Sequence, residues 1–353
     1  MAITALTLLL TLSTFAVFPA MFFFFFVIFN GMFQAVAGSH LQSAVVAVAS
    51  LFGPAAMQSM MAGQGAIGVM VSLIQVLSAI AGVKRGEFRI QMVEEDDSPV
   101  RAAFLFFGIS TLFMVFAIMM HAWLVRIPAY KAIVLPYEVS KGLTGSRQLS
   151  GALKEKGRIL EIAKLNKEYN FAVAYVFIVT LAVFPAITSS IRSVHVPPTS
   201  LFTRPLIFTA IHFLVYNVGD FAGRYLPILP RFQIWSSRSL LYMSVARTLF
   251  IPAFLACNVN PSADSSATPV VINSDLMFFL ILLVFGMTNG YIGSLVMMAA
   301  PSPQHNARLK HRTEDVDIAA TVAQFCLIGG LAIGSFMSFG VRSLICGCNP
   351  FVQ

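Results

Sequence analysis

The run MFFFFFVIFNGMFQAVAGSHLQS, residues 21–43, holds no Asp, Glu, Lys or Arg. Its length matches the roughly 20 apolar residues that a helix needs to cross a bilayer. It lies inside a longer apolar region, residues 2–83, which is too long for one or two spans. Pro19 on one side and the Gly53-Pro54 pair on the other are chain breakers. They divide the region into three helices, approximately residues 2–18, 21–43 and 55–83. Residues 44–52 are apolar and offer no clear boundary. The N-terminus has neither a basic leading segment nor a clear small-residue cleavage site, so it reads as a span and not as a cleaved signal peptide.

Composition agrees with this reading. Of 353 residues, 58% are hydrophobic and 11% charged, and the mean hydropathy is +0.81. Soluble domains carry about a quarter charged residues; a chain this poor in charge cannot cover a water-facing surface. The net charge of +8 does not indicate nucleic acid as a partner, because the basic residues collect in a few loops between apolar runs and show no zinc-finger spacing or basic–aromatic interleaving. Cys257 and Cys326 lie in apolar runs and read as small core residues. Cys346 and Cys348 form a C-x-C, for which a metal role is the alternative to none, without the further ligands a site requires. No cofactor is implied.

Six more spans follow, at about residues 102–125, 169–188, 206–224, 240–257, 276–299 and 318–343, making nine. The fold class is therefore all-α, a polytopic transmembrane helical bundle. A polar loop with the acidic run Glu94–Asp97 occupies residues 84–101, and the longest polar stretch runs over residues 126–168. The domain organisation expected is an N-terminal bundle of four spans (1–126), a cytoplasmic loop (127–168) and a C-terminal bundle of five spans (169–353). With the N-terminus placed inside, loop lysines and arginines favour the inner face two to one. Ile159, Ile162, Ala163 and Leu165 stand at helical spacing among charges, which fits an extension of the following span or an amphipathic helix on the leaflet.

Polar residues inside spans carry the functional information. In Phe213-Leu-Val-Tyr-Asn217-Val-Gly-Asp220-Phe-Ala-Gly-Arg224, offsets of four, three and four residues keep Phe213, Asn217, Asp220 and Arg224 on one helix stripe. A charge within the membrane costs about 2.5–3.5 kcal/mol even on the lenient insertion scale, so such residues face a bundle interior or a cavity. A carboxylate, a guanidinium, an amide and a ring together suit a sugar with hydroxyls and a flat base; a structural ion pair is the other reading. Gln64, between Gly63 and Gly65, suits a nucleobase edge or an interhelical hydrogen bond, with both glycines admitting a neighbouring backbone. Phe184, before Pro185, can stack on a base or belong to the core. The segments Thr288–Ser294 and Gly330–Gly334 read as small-residue packing faces, Arg247 as an arginine that pairs within the bundle or snorkels, and His40 and His212 as hydrogen-bonded core or interface residues. No catalytic motif is present: there is no G-x-S-x-G, H-E-x-x-H or P-loop, and no enzyme is expected.

At these residues the chain resembles the equilibrative nucleoside transporter family. The matching pieces are Met61-Ala-Gly-Gln-Gly65, Phe184-Pro-Ala186, Asn217–Arg224 with its D-x-x-x-R core, Thr288-Asn-Gly-Tyr291 and Gly330–Gly334, in family order across nearly the whole chain. The stretches around Ser189–Ile191 and Ala44–Pro54 resemble fungal members. The resemblance implies a major-facilitator-like fold of eleven helices in bundles of six and five, of which nine are expected here, the first two being absent. It implies facilitative, alternating-access movement of nucleosides, and in some members nucleobases. It assigns Asp220 and Arg224 to the ribose, Gln64 to the base, and Phe184, Phe213, Asn217 and Leu331 to the pocket wall. The partners implied are the nucleoside and the bilayer. The location is the plasma membrane or a vacuolar, lysosome-like membrane. Two alternatives are a carrier of another organic solute and a truncated, non-transporting partner of a full-length carrier.

Overall fold

Gly53, at φ +87°, turns the chain between two long helices, a backbone conformation that glycine adopts without steric cost. The computed structural model describes residues 1–15, 18–89, 98–145, 150–195, 197, 200–259 and 271–346. In chain order the helices are α1 (Ala2–Ser13), α2 (Ala20–Leu51), α3 (Pro54–Arg89), α4 (Ser98–Leu124), α5 (Pro128–Gly145), α6 (Ser150–Leu165), α7 (Lys167–Val183), α8 (Pro205–Tyr225), α9 (Ser237–Ala246), α10 (Phe250–Leu255), α11 (Asp275–Ala299) and α12 (Val316–Cys346). Among the described residues there is no strand, only isolated bridges pairing Ile191 with Val259 and Cys257 with Ile272.

Helices stand at all nine expected positions, and seven of them are long and apolar enough to cross a membrane. The chain is an integral, multi-pass membrane protein of the all-α class. Two of the nine differ from expectation. α1 has 12 residues, about 18 Å of helix, short of the roughly 30 Å hydrocarbon thickness. The segment expected at 240–257 is interrupted: α9 tightens into a 3-10 turn at Arg247–Leu249 before α10. Pro252 accounts for this, since its ring crowds the carbonyl four residues back and it has no N–H to donate.

Boundaries also shift. The Gly53-Pro54 break is real, with α2 running through Leu51 and Pro54 opening α3. The expected loop at 84–101 is shortened from both ends, by α3 reaching Arg89 and α4 starting at Ser98; the run Glu94–Asp97 lies outside the described residues, as does Cys348, and nothing is described of the Cys346 side chain. The long polar stretch is largely helical, as α5 and α6. Between α6 and α7 only Asn166 departs from helical geometry (φ −96°, ψ 17°), so α6 is nearly continuous with the next span.

By contact the chain divides into two units, residues 1–51 with 89–153, and residues 52–88 with 154–353. In the first, α1 packs on α2 and α4, where Asn30 Nδ2 donates to the Leu6 carbonyl at 3.1 Å and the hydroxyls of Thr11 and Thr111 meet at 3.2 Å. In the second, α8 packs on α11 and α7 on α12. Both seams depend on paired glycines. A side chain at Gly219 or Gly223 would strike backbone of Leu283 and Met287, and one at Gly286 or Gly290 would strike backbone of Tyr216 and Asp220. On the other seam, Gly330 and Gly334 lie against the backbone of Ala174 and Ile178. Small residues four apart let membrane helices approach backbone to backbone. Large apolar side chains point outward, Phe325 and Phe336 being 75% and 78% exposed, as a lipid-facing surface allows.

Candidate functional site

The second unit contains the polar stripe of α8. Pro205 opens α8 at its first turn, where a missing N–H costs nothing, and the Gly219/Gly223 seam turns Asp220 and Arg224 into the interior. Asp220 is 5% exposed and Arg224 8%. Arg224 Nε donates to Asp220 Oδ2 at 2.7 Å. Arg224 Nη1 donates to the Met61 carbonyl at 2.9 Å and to Gln64 Oε1 at 3.3 Å. Its Nη2 has no protein partner among the described residues. Asp220 Oδ1 accepts from Asn289 Nδ2 of α11 at 2.7 Å.

α3 supplies the facing wall. A side chain at Gly65 would come within 2.9 Å of Arg224 Cδ and 3.1 Å of Phe221 Cα, and one at Gly68 would fall 2.6 Å from Asn217 Oδ1. The close approach expected at Gly63 and Gly65 therefore occurs at Gly65 and Gly68; Gly63 faces open space, because one residue of offset rotates a helix position by about 100°. Gln64 is exposed; Oε1 accepts from Arg224, and its Nε2 amide nitrogen has no partner among the described residues. Gln58, one and a half turns earlier, donates to the Arg224 carbonyl at 2.9 Å.

The aromatic members sit apart from the charges. α7 ends at Val183, with Phe184 extended at φ −107°, ψ 123°, so the Phe184-Pro185 pair terminates the helix and does not kink it. The Phe184 ring stacks on Tyr216 at 4.0 Å between centroids and meets the edge of Phe213 at 5.3 Å. It is 8% exposed and belongs to an aromatic core with Phe254, Phe278 and Phe285. His212, also there, contacts Thr188 Oγ1 at 2.8 Å through Nε2. Asn217, half-buried, donates from Nδ2 to the Phe213 carbonyl at 2.9 Å. Leu331 is half-buried on α12 between Gly330 and Gly334, on the α7 seam.

The structure thus joins Gln64, Asp220 and Arg224 directly, and Phe184 with Phe213 as a second group. Thr180, Asn289, Gln58 and the Met61 carbonyl join the polar group although no site role was read for them. Met61 and Asn289 stood inside motifs that carry the family resemblance, the second of them also read as a packing face, and the Asn289 amide was the available signal. Thr180, in an apolar run, gave none.

Chemically, the cluster is a carboxylate with spare lone pairs on both oxygens, beside a guanidinium with two N–H groups to spare. A vicinal diol fits such a pair, donating to the carboxylate and accepting from the guanidinium. The exposed Gln64 amine adds a donor for a ring nitrogen or carbonyl.

Residues 25–343 match the family model described as Nucleoside transporter. Equilibrative nucleoside transporter 1 of Homo sapiens is 26% identical over 329 residues, covering 87% of this chain and 66% of the relative. Equilibrative nucleoside transporter 2 of Homo sapiens is 34% identical over 174 residues, covering 48% of this chain and 34% of the relative. Equilibrative nucleotide transporter 1 of Arabidopsis thaliana is 26% identical over 311 residues, covering 85% and 59%. The chain spans less than two thirds of the length of these relatives.

Proposed function

This chain belongs to the nucleoside transporter family, and on that premise we propose that it moves nucleosides, and by extension nucleobases, across a membrane by facilitative, alternating-access transport. The observation that carries the reading is the buried pair Asp220–Arg224, with carboxylate lone pairs and the Arg224 Nη2 amine uncommitted, next to an exposed amide at Gln64. Asp220 and Arg224 hold the ribose hydroxyls. Gln64 reads the base edge. Phe213 and Phe184 form an aromatic wall, which Asn217 and Leu331 extend.

Binding here substitutes for water. A ribose diol released from bulk solvent finds a charged acceptor and a charged donor already oriented, so desolvation is offset by charge-assisted hydrogen bonds. The partly exposed Phe213 ring offers an apolar surface to the base, with Phe184 packed behind it. In this reading the nucleoside moves down its own gradient, and the residues bind it without a chemical step.

The test is uptake of labelled uridine and adenosine into proteoliposomes containing this chain, with Asp220→Asn and Arg224→Ala alongside. Saturable uptake that excess unlabelled nucleoside abolishes, and that both substitutions eliminate at unchanged protein incorporation, is the expected result. Retained uptake in both variants removes the assigned site. Uptake indifferent to excess nucleoside is leak across the bilayer and removes the proposed transport.

A further inference from the structure

Arg247 is 1% exposed, in the turn that interrupts α9, and among the described residues no carboxylate lies within ion-pair distance of it. Its guanidinium carbon stands 4.5 Å from the centre of the Phe285 ring. Nη1 donates to the Phe285 carbonyl at 2.9 Å and to the Thr288 hydroxyl. Nη2 donates to Thr180 Oγ1 at 2.9 Å. A guanidinium held this deep is costly unless its surroundings compensate it, and the compensation leads to Asp220.

Thr180, 3% exposed, has one hydroxyl proton. With Arg247 donating to its oxygen, that proton goes to Asn289 Oδ1 or to the Val176 carbonyl, each at 2.7 Å. With the proton on Asn289 Oδ1, Thr180 and Asn289 both have a direction. Asn289, also 3% exposed, turns Oδ1 to Thr180 and Nδ2 to Asp220 Oδ1 at 2.7 Å. The reversed amide would set its oxygen against the Asp220 carboxylate and its amine against the Thr180 hydroxyl, so the order Arg247, Thr180, Asn289, Asp220 has one favourable polarity. Such chains reinforce each other in a low-dielectric interior. Asp220 is consequently linked to two guanidinium groups, to Arg224 directly at Oδ2 and to Arg247 at Oδ1 by way of an amide and a hydroxyl.

We propose that Arg247 is a positioning residue for nucleoside recognition, acting through Thr180 and Asn289 to fix the orientation of the Asp220 carboxylate towards the ribose hydroxyls. The inference rests on the reading that Asp220 contacts the sugar. Without the relay, Asn289 keeps its amide nitrogen on Asp220 but loses the Thr180 hydroxyl that anchors its oxygen, so Asp220 is held by a less constrained amide, while Arg224 remains in place.

The experiment measures KM and maximal rate for uridine uptake in proteoliposomes, with 2′,3′-dideoxyuridine as a competitor that lacks the hydroxyls. Thr180→Val is close to isosteric and leaves the core filled. It is expected to raise KM for uridine about tenfold, the effect of one lost hydrogen bond to a charged network, and to narrow the preference for uridine over the dideoxy competitor. Thr180→Ser restores both. Arg247→Met gives the same selectivity loss, and the double variant adds nothing to it, as coupled residues should show. If Thr180→Val lowers only the maximal rate or the melting temperature, with KM and selectivity unchanged, the contact is structural and the relay is overturned. Equilibrium binding of uridine and of 2′,3′-dideoxyuridine to the solubilised Asp220→Asn protein, which needs no uptake, separates this failure from that of the underlying reading: an unchanged binding preference there removes the sugar site itself, whereas a lost preference there with full selectivity in Thr180→Val removes the relay alone.

Discussion

Gly290 of α11 lies against the backbone carbonyl of Asp220, so close that a Cβ has no room. The contact puts the neighbouring Asn289 amide within 2.7 Å of the Asp220 carboxylate. A packing feature and a binding feature are therefore one crossing. Gly290→Ala should force α8 and α11 apart. Overpacking of this kind costs about 1–3 kcal/mol or more, read as a lowered melting temperature in detergent, with nucleoside binding lost at temperatures where the variant is still folded. Gly63→Ala, at a position facing open space, should change neither quantity.

Gln58 and Gln64 stand on the same helix and separate stability from recognition. Gln58 is 6% exposed and satisfies the Arg224 carbonyl. Gln58→Leu leaves that carbonyl unpaired and should cost about 1–3 kcal/mol of stability, measured by thermal unfolding. Gln64→Ala removes an exposed amide and should leave the melting temperature nearly unchanged while raising KM for uptake. The reverse pattern would exchange the roles given to the two glutamines.

Phe184 is embedded in rings, stacked on Tyr216 and edged by Phe213. Phe184→Ala should lose about 3–5 kcal/mol, as large-to-small substitutions in a filled core do. Phe184→Leu should recover most of that stability without restoring a flat surface. A KM defect in the leucine variant with near-normal unfolding would show that the ring itself meets the base.

Outside the spans, α6 is tied to the segment before α12. Arg312 Nη2 donates to Glu161 Oε1 at 2.5 Å, and that hydrogen bond holds the Glu161 carboxyl below its ordinary value of 4.5. A depressed carboxylate stabilises the folded chain above the unfolded value, and the contribution declines as pH falls from about 4.5 through the lower folded value. The wild-type melting temperature should therefore lose an increment over that window that Glu161→Gln does not lose. High salt should shrink the difference at neutral pH, since the pair is solvent-exposed. Equal pH profiles for the two proteins would contradict the assignment.

The amino-acid sequence determined that this chain is a helical membrane protein, because twenty-residue runs without charge have no other stable solvent than lipid, and because in lipid each helix satisfies its own backbone. It also determined which α8 residues share a face, since the period of 3.6 is local geometry: Asp220 and Arg224, one turn apart, pair at 2.7 Å. Family membership was legible too, from motifs in order between Met61 and Gly334, and the family model matches residues 25–343. Tertiary structure alone decided what meets that face. Gly65 and Gly68, and not Gly63, admit α8, because the rotation of α3 about its axis is set by packing. Arg247, Thr180 and Asn289 lie 27, 40 and 69 residues from Asp220 along the chain, and their meeting depends on the α8–α11 glycine seam and on the packing of α7 against α11, which no single helix encodes. Local periodicity fixes which residues share a stripe; only the crossing of helices decides which stripes touch.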